Sequence, residues 1–320
     1  MSFKADNAIL PPKQGQILVQ VRAASINPVD YKKISIPVMN WGLDGKPVSQ
    51  DFAGVVIDSG GCDRFQPGDS VYGNAGGCMA DRIWVSETDI ALKPKSMTYL
   101  QASSLPTTAL TSYQALIAGG AKEGSKVVVV GASGGCGLAG IMIARSIVGA
   151  EGKVVAICGT HNIEYIKSLG VVDDVLDYKH PDTIQSSSSI LAESKPFDMV
   201  YDTVTSPDPG DSLDGKPYDE VLRPYLKKDG YICAINGSAG RWVGALTGWQ
   251  GKGYKLLLKS RSGKQLTELA AMAEAGALKA VIDSTHPFTE DGVRAAFDRV
   301  KSRRSVGKVV VDIQDGDSVQ

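Results

Sequence analysis

Lys126-Val-Val-Val-Val-Gly131-Ala-Ser-Gly134-Gly135-Cys136-Gly137-Leu-Ala-Gly140 is the stretch on which the reading of this chain turns. Four valines in a row stop at a cluster of glycines, and the glycines open onto an apolar segment that runs to Val148. An unbroken apolar run bounded by glycine fits a parallel strand buried on both faces, and the segment beyond it has the length of a helix. A strand, a tight turn and a helix in that order make an anion site. The first-turn N–H groups have no intrahelical partner, the helix dipole favours negative charge there, and glycines let a pyrophosphate approach the backbone. The spacing is Gly131-x-x-Gly134-x-x-Gly137 rather than G-x-G-x-x-G. By itself the motif therefore also fits a glycine-rich turn in some other α/β protein.

Composition narrows the class. A chain of 320 residues holds one large domain or two medium ones. Its apolar share of 43% and charged share of 22% are those of a globular protein. A net charge of −1 gives no electrostatic ground for nucleic acid or an anionic membrane as main partner. No apolar run approaches the roughly 20 residues that span a bilayer. The opening Met1-Ser-Phe-Lys-Ala-Asp6 has neither a signal-peptide core nor an Arg-rich transit pattern, which points to the cytoplasm. The alternative is a peripheral position on an organelle membrane. The cysteines at 62, 78, 136, 158 and 233 are odd in number and far apart, which implies free thiols and no structural zinc.

Outward from the glycine stretch, the two halves of the chain read differently. Before it lie short β patterns: residues 16–23, 51–58, 65–72 around Pro67-Gly68-Asp69, and 80–85. Between the first two sits Asn27-Pro28-Val29-Asp30-Tyr31-Lys32-Lys33, a polar turn around a proline. The first hundred residues thus suit a small barrel. Residues 101–118 have helical spacing broken by Pro106. From Val127 strands at 126–131, 153–158, 173–177, 197–202, 230–235 and 254–259 are predicted, with helices at 136–148, 162–169 and 217–227. That is the order of a doubly wound parallel sheet. An amphipathic segment at 266–277, a helix at 290–301 and a strand at 307–313 close the chain. Residues 186–189 and 206–217 read as surface loops.

The end of the second parallel strand discriminates between cofactors, since NAD-binding sheets place Asp or Glu there. Here it reads Cys158-Gly159-Thr160-His161-Asn162, with no carboxylate before Glu164. A missing acid removes repulsion against a 2′-phosphate, and Thr160, His161 and Asn162 can donate to one, which favours NADP(H). The same residues also suit a cap on the following helix.

Taken in order, these segments resemble the zinc-independent medium-chain dehydrogenases/reductases of the quinone oxidoreductase group, above all the plant-type chloroplast-envelope homologues. The resemblance rests on Ile26-Asn-Pro-Val-Asp-Tyr-Lys32, Asp51-Phe-Ala-Gly-Val55, Pro67-Gly-Asp69, Leu105-Pro106 with Leu110-Thr-Ser-Tyr-Gln-Ala-Leu116, Gly131 to Gly137, Lys167-Ser-Leu-Gly170, Asp177-Tyr178, Asp202-Thr-Val204 and Gly307-Lys-Val309. It implies an α/β fold: a GroES-like barrel of residues 1–107 and 259–320, and a Rossmann NADP(H)-binding domain of residues 108–258. It further implies that Gly134, Gly135 and Cys136 hold the pyrophosphate, that Asn162 and Tyr178, with Thr160, sit at the 2′-phosphate, and that Thr203, Ile235 and Asn236 lie near the ribose and nicotinamide. Asn27 and Thr111 border the nicotinamide, with Asp30, Tyr31 and Lys32 at the mouth of the site. Zinc-dependent relatives carry a catalytic Cys in the 25–30 loop and a His-Glu pair where this chain has Gln50 and Asp51, so no metal is expected. The implied reaction is hydride transfer from NADPH to a quinone or to the β-carbon of an α,β-unsaturated carbonyl. The resemblance further implies a homodimer, for which the strand at 253–259 is a candidate pairing edge.

Other readings stand beside these. Asn27 also fits a turn former, Asp30 a partner for a neighbouring base, Lys32 and Lys33 solvated charges, and Tyr178 strand-end packing. Cys136 stands where the family usually has valine, which suits small apolar filler. Trp41, Trp242 and Trp249 serve either a substrate pocket or ordinary packing. Two other functions remain open: an NADPH-binding protein without catalysis, like the crystallin and RNA-binding relatives, and an enoyl-thioester reductase. The chain also departs from the resemblance. Relatives open with a β-hairpin of about 20 residues ahead of the segment matching Pro11, so this sequence is truncated or its barrel lacks an edge. Residues 206–216 are longer and more acidic than expected, and 240–253 are longer, so substrate choice transfers least.

Overall fold

Alternation along Gln16–Ile26 produces β1, an eleven-residue strand that buries Ile17, Val19, Val21 and Ala23 on one face. The computed structural model describes residues 15–35, 47–208 and 210–313. Trp41, the Lys33 side chain, the residues before Gly15 and those after Ile313 lie outside this set. Asn27 and Pro28 do not make the expected turn. Pro28 starts helix α1 (Pro28–Ser35), because a proline at the first helical position gives up no hydrogen bond and has its φ already set.

The strands β2 (Asp51–Asp58), β3 (Ser70–Asn74), β4 (Arg82–Ser86) and β5 (Ile90–Leu92) follow. Then come α2 (Tyr99–Ser103) and α3 (Pro106–Ala118), separated where Pro106 interrupts the helical spacing. The valine run is β6 (Lys126–Val130), and α4 (Gly135–Val148) leaves the glycines after it. Beyond lie β7 (Lys153–Cys158), α5 (Ile163–Ser168), β8 (Asp174–Asp177), α6 (Asp182–Gln185), α7 (Ile190–Ser194) and β9 (Phe197–Asp202). Next are α8 (Tyr218–Leu222), β10 (Leu226–Ala234), α9 (Ala239–Thr247) and β11 (Tyr254–Leu256). The chain closes with α10 (Gly263–Glu274), β12 (Ile282–Pro287), α11 (Glu290–Lys301) and β13 (Lys308–Asp312).

Two compact units result, Met1–Leu110 with Arg261–Gln320, and Thr111–Ser260. In the first, the sheet runs β12-β13-β1-β2-β3-β5, with β4 on β1. Register shifts at Leu18/Val19 and Val21/Ala23 bend β1, so its first half pairs with β4 and its second half with β13. Phe52, Ile17, Ile26 and Ile90 fill the interior together with Phe297 of α11. In the second unit all six strands are parallel, in the order β8-β7-β6-β9-β10-β11. Valines 128, 130, 155 and 200, Ile157 and Phe197 form its core. The order reverses between β6 and β9, and at such a point the carboxyl ends of the strands leave a crevice that ligands use.

Several element bounds differ from the sequence reading. The helix expected over 217–227 stops at Leu222 and becomes a single 3₁₀ turn at Arg223–Tyr225. Strand β10 starts at Leu226 instead of 230, because its exposed Lys227, Lys228 and Asp229 hide the strand in a polar run. Strand β11 ends at Leu256 instead of 259. The short helices α6 and α7 flank the 186–189 loop and are too short to carry a periodic signal, whereas α9, within the long 240–253 region, is amphipathic and was still not foreseen. Among the described residues no helix is long and apolar enough to cross a membrane.

Candidate functional site

The carboxyl end of the parallel sheet gathers most of the residues singled out for a cofactor. Beyond β6 the chain turns at Gly131 (φ 75°), where a side chain would meet Thr203 Oγ1 at 2.5 Å. The Gly131 and Ala132 N–H groups both donate to Ile157 O at the end of β7. Gly134 caps α4 with no side chain in the way. Gly137 has no room for one, since its Cβ would lie 2.0 Å from Gly131 O. Helix α4 therefore starts hard against the loop backbone, and the first turn of a helix turns its N–H groups toward an anion. The partly exposed Cys136 engages the buried Tyr201 hydroxyl through its thiol, and its carbonyl accepts from Ser112 Oγ at 2.8 Å. Thr203 donates to Val130 O at 2.6 Å, which ties the ends of β9 and β6 together across the switch point. Ile235 and Asn236 follow β10, and the Ile235 N–H bonds Asp202 O. Asp202 itself is wholly buried: Oδ1 accepts from the Val204 and Thr205 N–H groups and Oδ2 has no partner, so burial raises its pKa.

The neighbouring strand ends correct part of the 2′-phosphate reading. The carboxylate missing from β7 arrives from β8. Asp177 accepts the Thr160 hydroxyl on Oδ2 at 2.6 Å and the Lys179 N–H on Oδ1 at 2.8 Å. Thr160 has a single hydroxyl proton, and with that proton on Asp177 it has none for a phosphate. Asn162 donates to Ser133 Oγ at 3.0 Å, joining the glycine loop to the end of β7, and retains a second amide hydrogen. Tyr178 lies with its ring edge over Gly159, whose Cβ would stand 3.2 Å from Cε1, and Lys179 Nζ sits 5.1 Å from the ring centroid. Ser133 and Lys179 were missed by sequence reasoning. A lysine directly after the Asp177-Tyr178 pair is the signal that could have found the second.

Of the residues expected at the catalytic position, Asn27, Asp30 and Lys32 lie in the other unit, where strand ends converge on a buried polar cluster, and Thr111 opens the unit of the parallel sheet. Asp51, fully buried at the start of β2, accepts from Asn27 Nδ2 at 2.7 Å, Asn74 Nδ2 at 2.8 Å and Thr107 Oγ1 at 2.7 Å. Asn27, just past β1, directs its amide oxygen to Lys308 Nζ at 2.6 Å. Lys308 opens β13 and also donates to Ile26 O. Asp30 lies in the first turn of α1, and among the described residues no ion pair joins it to a base. It accepts from the Asn27 N–H at 2.8 Å and from Gln50 Nε2 at 3.3 Å. Burial pushes its carboxyl up to about 6, opposed by the Asn27 N–H and reinforced by the Asp51 charge. Lys32 stands partly exposed one turn on, and among the described residues no hydrogen bond or ion pair joins it to this cluster. Thr111 is buried in α3. Lys308, Asn74 and Thr107 were not foreseen, although a lysine heading a buried valine run was the visible sign of the first. Trp242 packs against the core of its own unit, whereas Trp249 is almost wholly exposed.

Zinc does not fit these residues. Among the described residues no group of three His, Cys, Asp or Glu side chains converges to hold a metal ion. At the 27 and 50–51 positions stand two amides and one carboxylate, and that carboxylate has a lysine ammonium 3.6 Å away.

Residues 13–95 match the family model of the alcohol dehydrogenase GroES-like domain, and residues 170–311 that of the zinc-binding dehydrogenase. The bovine mitochondrial NAD(P)H oxidoreductase RTN4IP1 is 31% identical over 333 residues, covering 93% of this chain and 82% of that protein. The 2-methylene-furan-3-one reductase of Solanum lycopersicum is 30% identical, covering 97% of this chain and 75% of that one. Among solved structures, the quinone oxidoreductase from Coxiella burnetii superposes with a TM-score of 0.78 at 26% identity, over 97% of this chain and 94% of that chain.

Proposed function

We propose, since the chain belongs to the medium-chain dehydrogenase/reductase family, that it is an NADPH-dependent, zinc-independent reductase of quinones or α,β-unsaturated carbonyl compounds. The observation that carries this reading is the pairing of two features. One is a glycine-lined helix start at the switch point of a parallel sheet. The other is a catalytic position built from Asn27, Gln50, Asp51 and Lys308 instead of metal ligands. The relatives support it: one is named an NAD(P)H oxidoreductase, one a quinone oxidoreductase, and one acts on an exocyclic enone.

When bound, the reduced cofactor supplies a hydride. The chain does the rest. The first-turn N–H groups at Gly135 and Cys136 neutralise the pyrophosphate, with Gly134 leaving room for it. Asn162 and Tyr178, with Lys179 beside them, meet the 2′-phosphate. Thr203, Ile235 and Asn236 border the ribose and nicotinamide. Thr111 and Asn27 border the reacting face, and Asp30 fixes Asn27 through its backbone N–H. Catalysis without a Lewis acid then rests on positioning and on donors aimed at the oxygen where negative charge develops. Strand β11, at the edge of the parallel sheet, is the place for a second copy to pair, and light scattering reads out the dimer.

The test is NADPH oxidation in the presence of 9,10-phenanthrenequinone, 1,4-benzoquinone, a medium-chain alkenone and a trans-enoyl thioester. Turnover of the first three supports the proposal, and preference for the thioester moves it to enoyl reduction. Tight NADPH binding with no turnover of any of them replaces it with a non-catalytic role.

A further inference from the structure

Lys308 is the part of the catalytic position that the proposed reaction does not yet use. The residue is buried, 6% exposed, and its ammonium lies among Ile26 O at 2.8 Å, Asn27 Oδ1 at 2.6 Å and Asp51 Oδ2 at 3.6 Å. A lysine withdrawn from water at this depth needs partners for its charge, and these three oxygens are among them. Besides balancing the Asp51 charge, the cation does what an apolar residue would not: it orders the Asn27 amide.

That amide is held from both ends. Its oxygen faces the ammonium, and its nitrogen gives one hydrogen to Asp51 Oδ2 at 2.7 Å. Turned over, it would set its NH₂ against the ammonium and its oxygen against a carboxylate. The two charges therefore leave one orientation, where an asparagine among neutral partners would have two. The backbone is held as well, since the Asn27 N–H bonds Asp30 Oδ2 and Lys308 holds the preceding carbonyl. Among the described residues one group is left over: the second hydrogen on Asn27 Nδ2.

We infer that Lys308 is a positioning residue, a fixed cation standing among the positions that carry metal ligands in zinc-dependent relatives, which orients Asn27 so that its second amide hydrogen binds the carbonyl oxygen of the quinone or enone. The inference rests on the proposed reductase reading and names a device within it. Hydride addition at the β-carbon moves the C=C electron pair toward that oxygen, and the new charge is met by an N–H already polarised through its own carbonyl. A proton from water then completes the reduction. The ammonium touches neither substrate nor cofactor in this scheme and acts through Asn27.

Three variants test it in the full-length protein: Lys308→Met, Lys308→Arg, and the charge-balanced Lys308→Met/Asp51→Asn. Each is assayed for NADPH-dependent reduction of 9,10-phenanthrenequinone. Each is also labelled with ¹⁵N-asparagine, so that the Asn27 side-chain amide is followed directly, with Asn27→Ser giving its assignment. Lys308→Met should lower kcat by about tenfold or more with KM for NADPH within about twofold, since the contact serves the transition state and not cofactor binding. Its Asn27 amide signals should shift and exchange faster with solvent, and Lys308→Arg should restore part of both. If Lys308→Met fails to fold through the uncompensated Asp51, the double variant is read in its place and should fold but stay slow. A double variant with wild-type kcat overturns the inference, because Lys308 then only balances Asp51. So does an Asn27 amide signal that ignores the loss of Lys308. A wild-type protein that reduces no quinone or enone counts against the reductase reading, and the amide signal still reports whether Lys308 orders Asn27.

Discussion

Thr160 gives its hydroxyl proton to Asp177, Oγ1 to Oδ2, across 2.6 Å. The acid that NAD-binding sheets use at this corner is thus present in space, delivered by β8 instead of β7. Its two oxygens are already occupied by Thr160 and by the Lys179 N–H. A carboxylate held by the protein in this way and buried to 6% exposure offers little surface to a ribose diol. The donors that remain toward a phosphate are Asn162, Tyr178 and the Lys179 ammonium beside its ring. Asn162→Asp should therefore weaken NADPH by about tenfold or more, the cost of replacing a donor to an anion by a like charge, while NADH changes by less than about threefold. Tyr178→Phe should act in the same direction and less strongly. Calorimetric titration with each cofactor decides the matter, and equal weakening of both would remove these residues from the 2′-phosphate.

Gly134 and Gly137 separate binding from folding. A methyl group at Gly137 would sit 2.0 Å from Gly131 O, backbone against backbone, with nothing flexible to yield. At Gly134 the nearest atom is 3.5 Å away and φ is −77°, which any residue adopts. Gly137→Ala should therefore cost on the order of 2–4 kcal/mol of stability, as other backbone-strain substitutions do. Gly134→Ala should cost about 1 kcal/mol or less, yet weaken NADPH by about tenfold because the methyl stands over the helix start offered to the pyrophosphate. Urea unfolding and cofactor titration of the two variants test this contrast, and a Gly134→Ala protein that binds NADPH normally would place the pyrophosphate elsewhere.

Metal removal should leave the enzyme as it was. The groups at the catalytic position are Asn27, Gln50 and Asp51, and a divalent ion approaching them would meet the Lys308 ammonium 3.6 Å from the only carboxylate of the three. Dialysis against a strong chelator is expected to change the quinone-reduction rate by less than about twofold. Cobalt(II) added afterwards should give no absorption of a bound ion. Activity that falls on chelation and returns with stoichiometric zinc would contradict this reading of the cluster.

How much of this was legible in the sequence depends on how local the cause is. The valine run and the glycines that end it are enough to find β6, the turn and α4, because burial and absent side chains act within fifteen residues. The six parallel strands follow from short apolar runs of the same kind. The Thr160–Asp177 bond could not be read, since it depends on β8 lying beside β7 in register with Cys158 opposite Asp177. Lys308 lies further still from Asn27 in sequence, and only the pairing of β1 with β13 brings them together. At 28–35 the failure had another origin: Asn-Pro is a turn signal and a helix-start signal at once, and the acid three residues after Asn27 settles it by capping the Asn27 N–H.

Asp30 should make the protein lose stability as pH rises through the weakly acidic range. Its carboxyl is pushed up to about 6 in the folded chain, chiefly by burial, whereas an unfolded chain returns it to about 3.9. The folded state therefore holds this proton more tightly than the unfolded one. The group's contribution is fully present below about pH 4, and it falls away as pH rises through about 6 and stays lost above that. The full shift is worth on the order of 2 kcal/mol. Asp30→Asn keeps an acceptor for the Asn27 N–H and cannot ionise. Its stability relative to wild type should therefore rise by about that amount between about pH 4 and pH 7.5. Parallel curves for the two proteins in urea unfolding across this range would show that Asp30 titrates as an ordinary exposed carboxylate. The acid would then have no special charge state to bring to the Asn27 backbone.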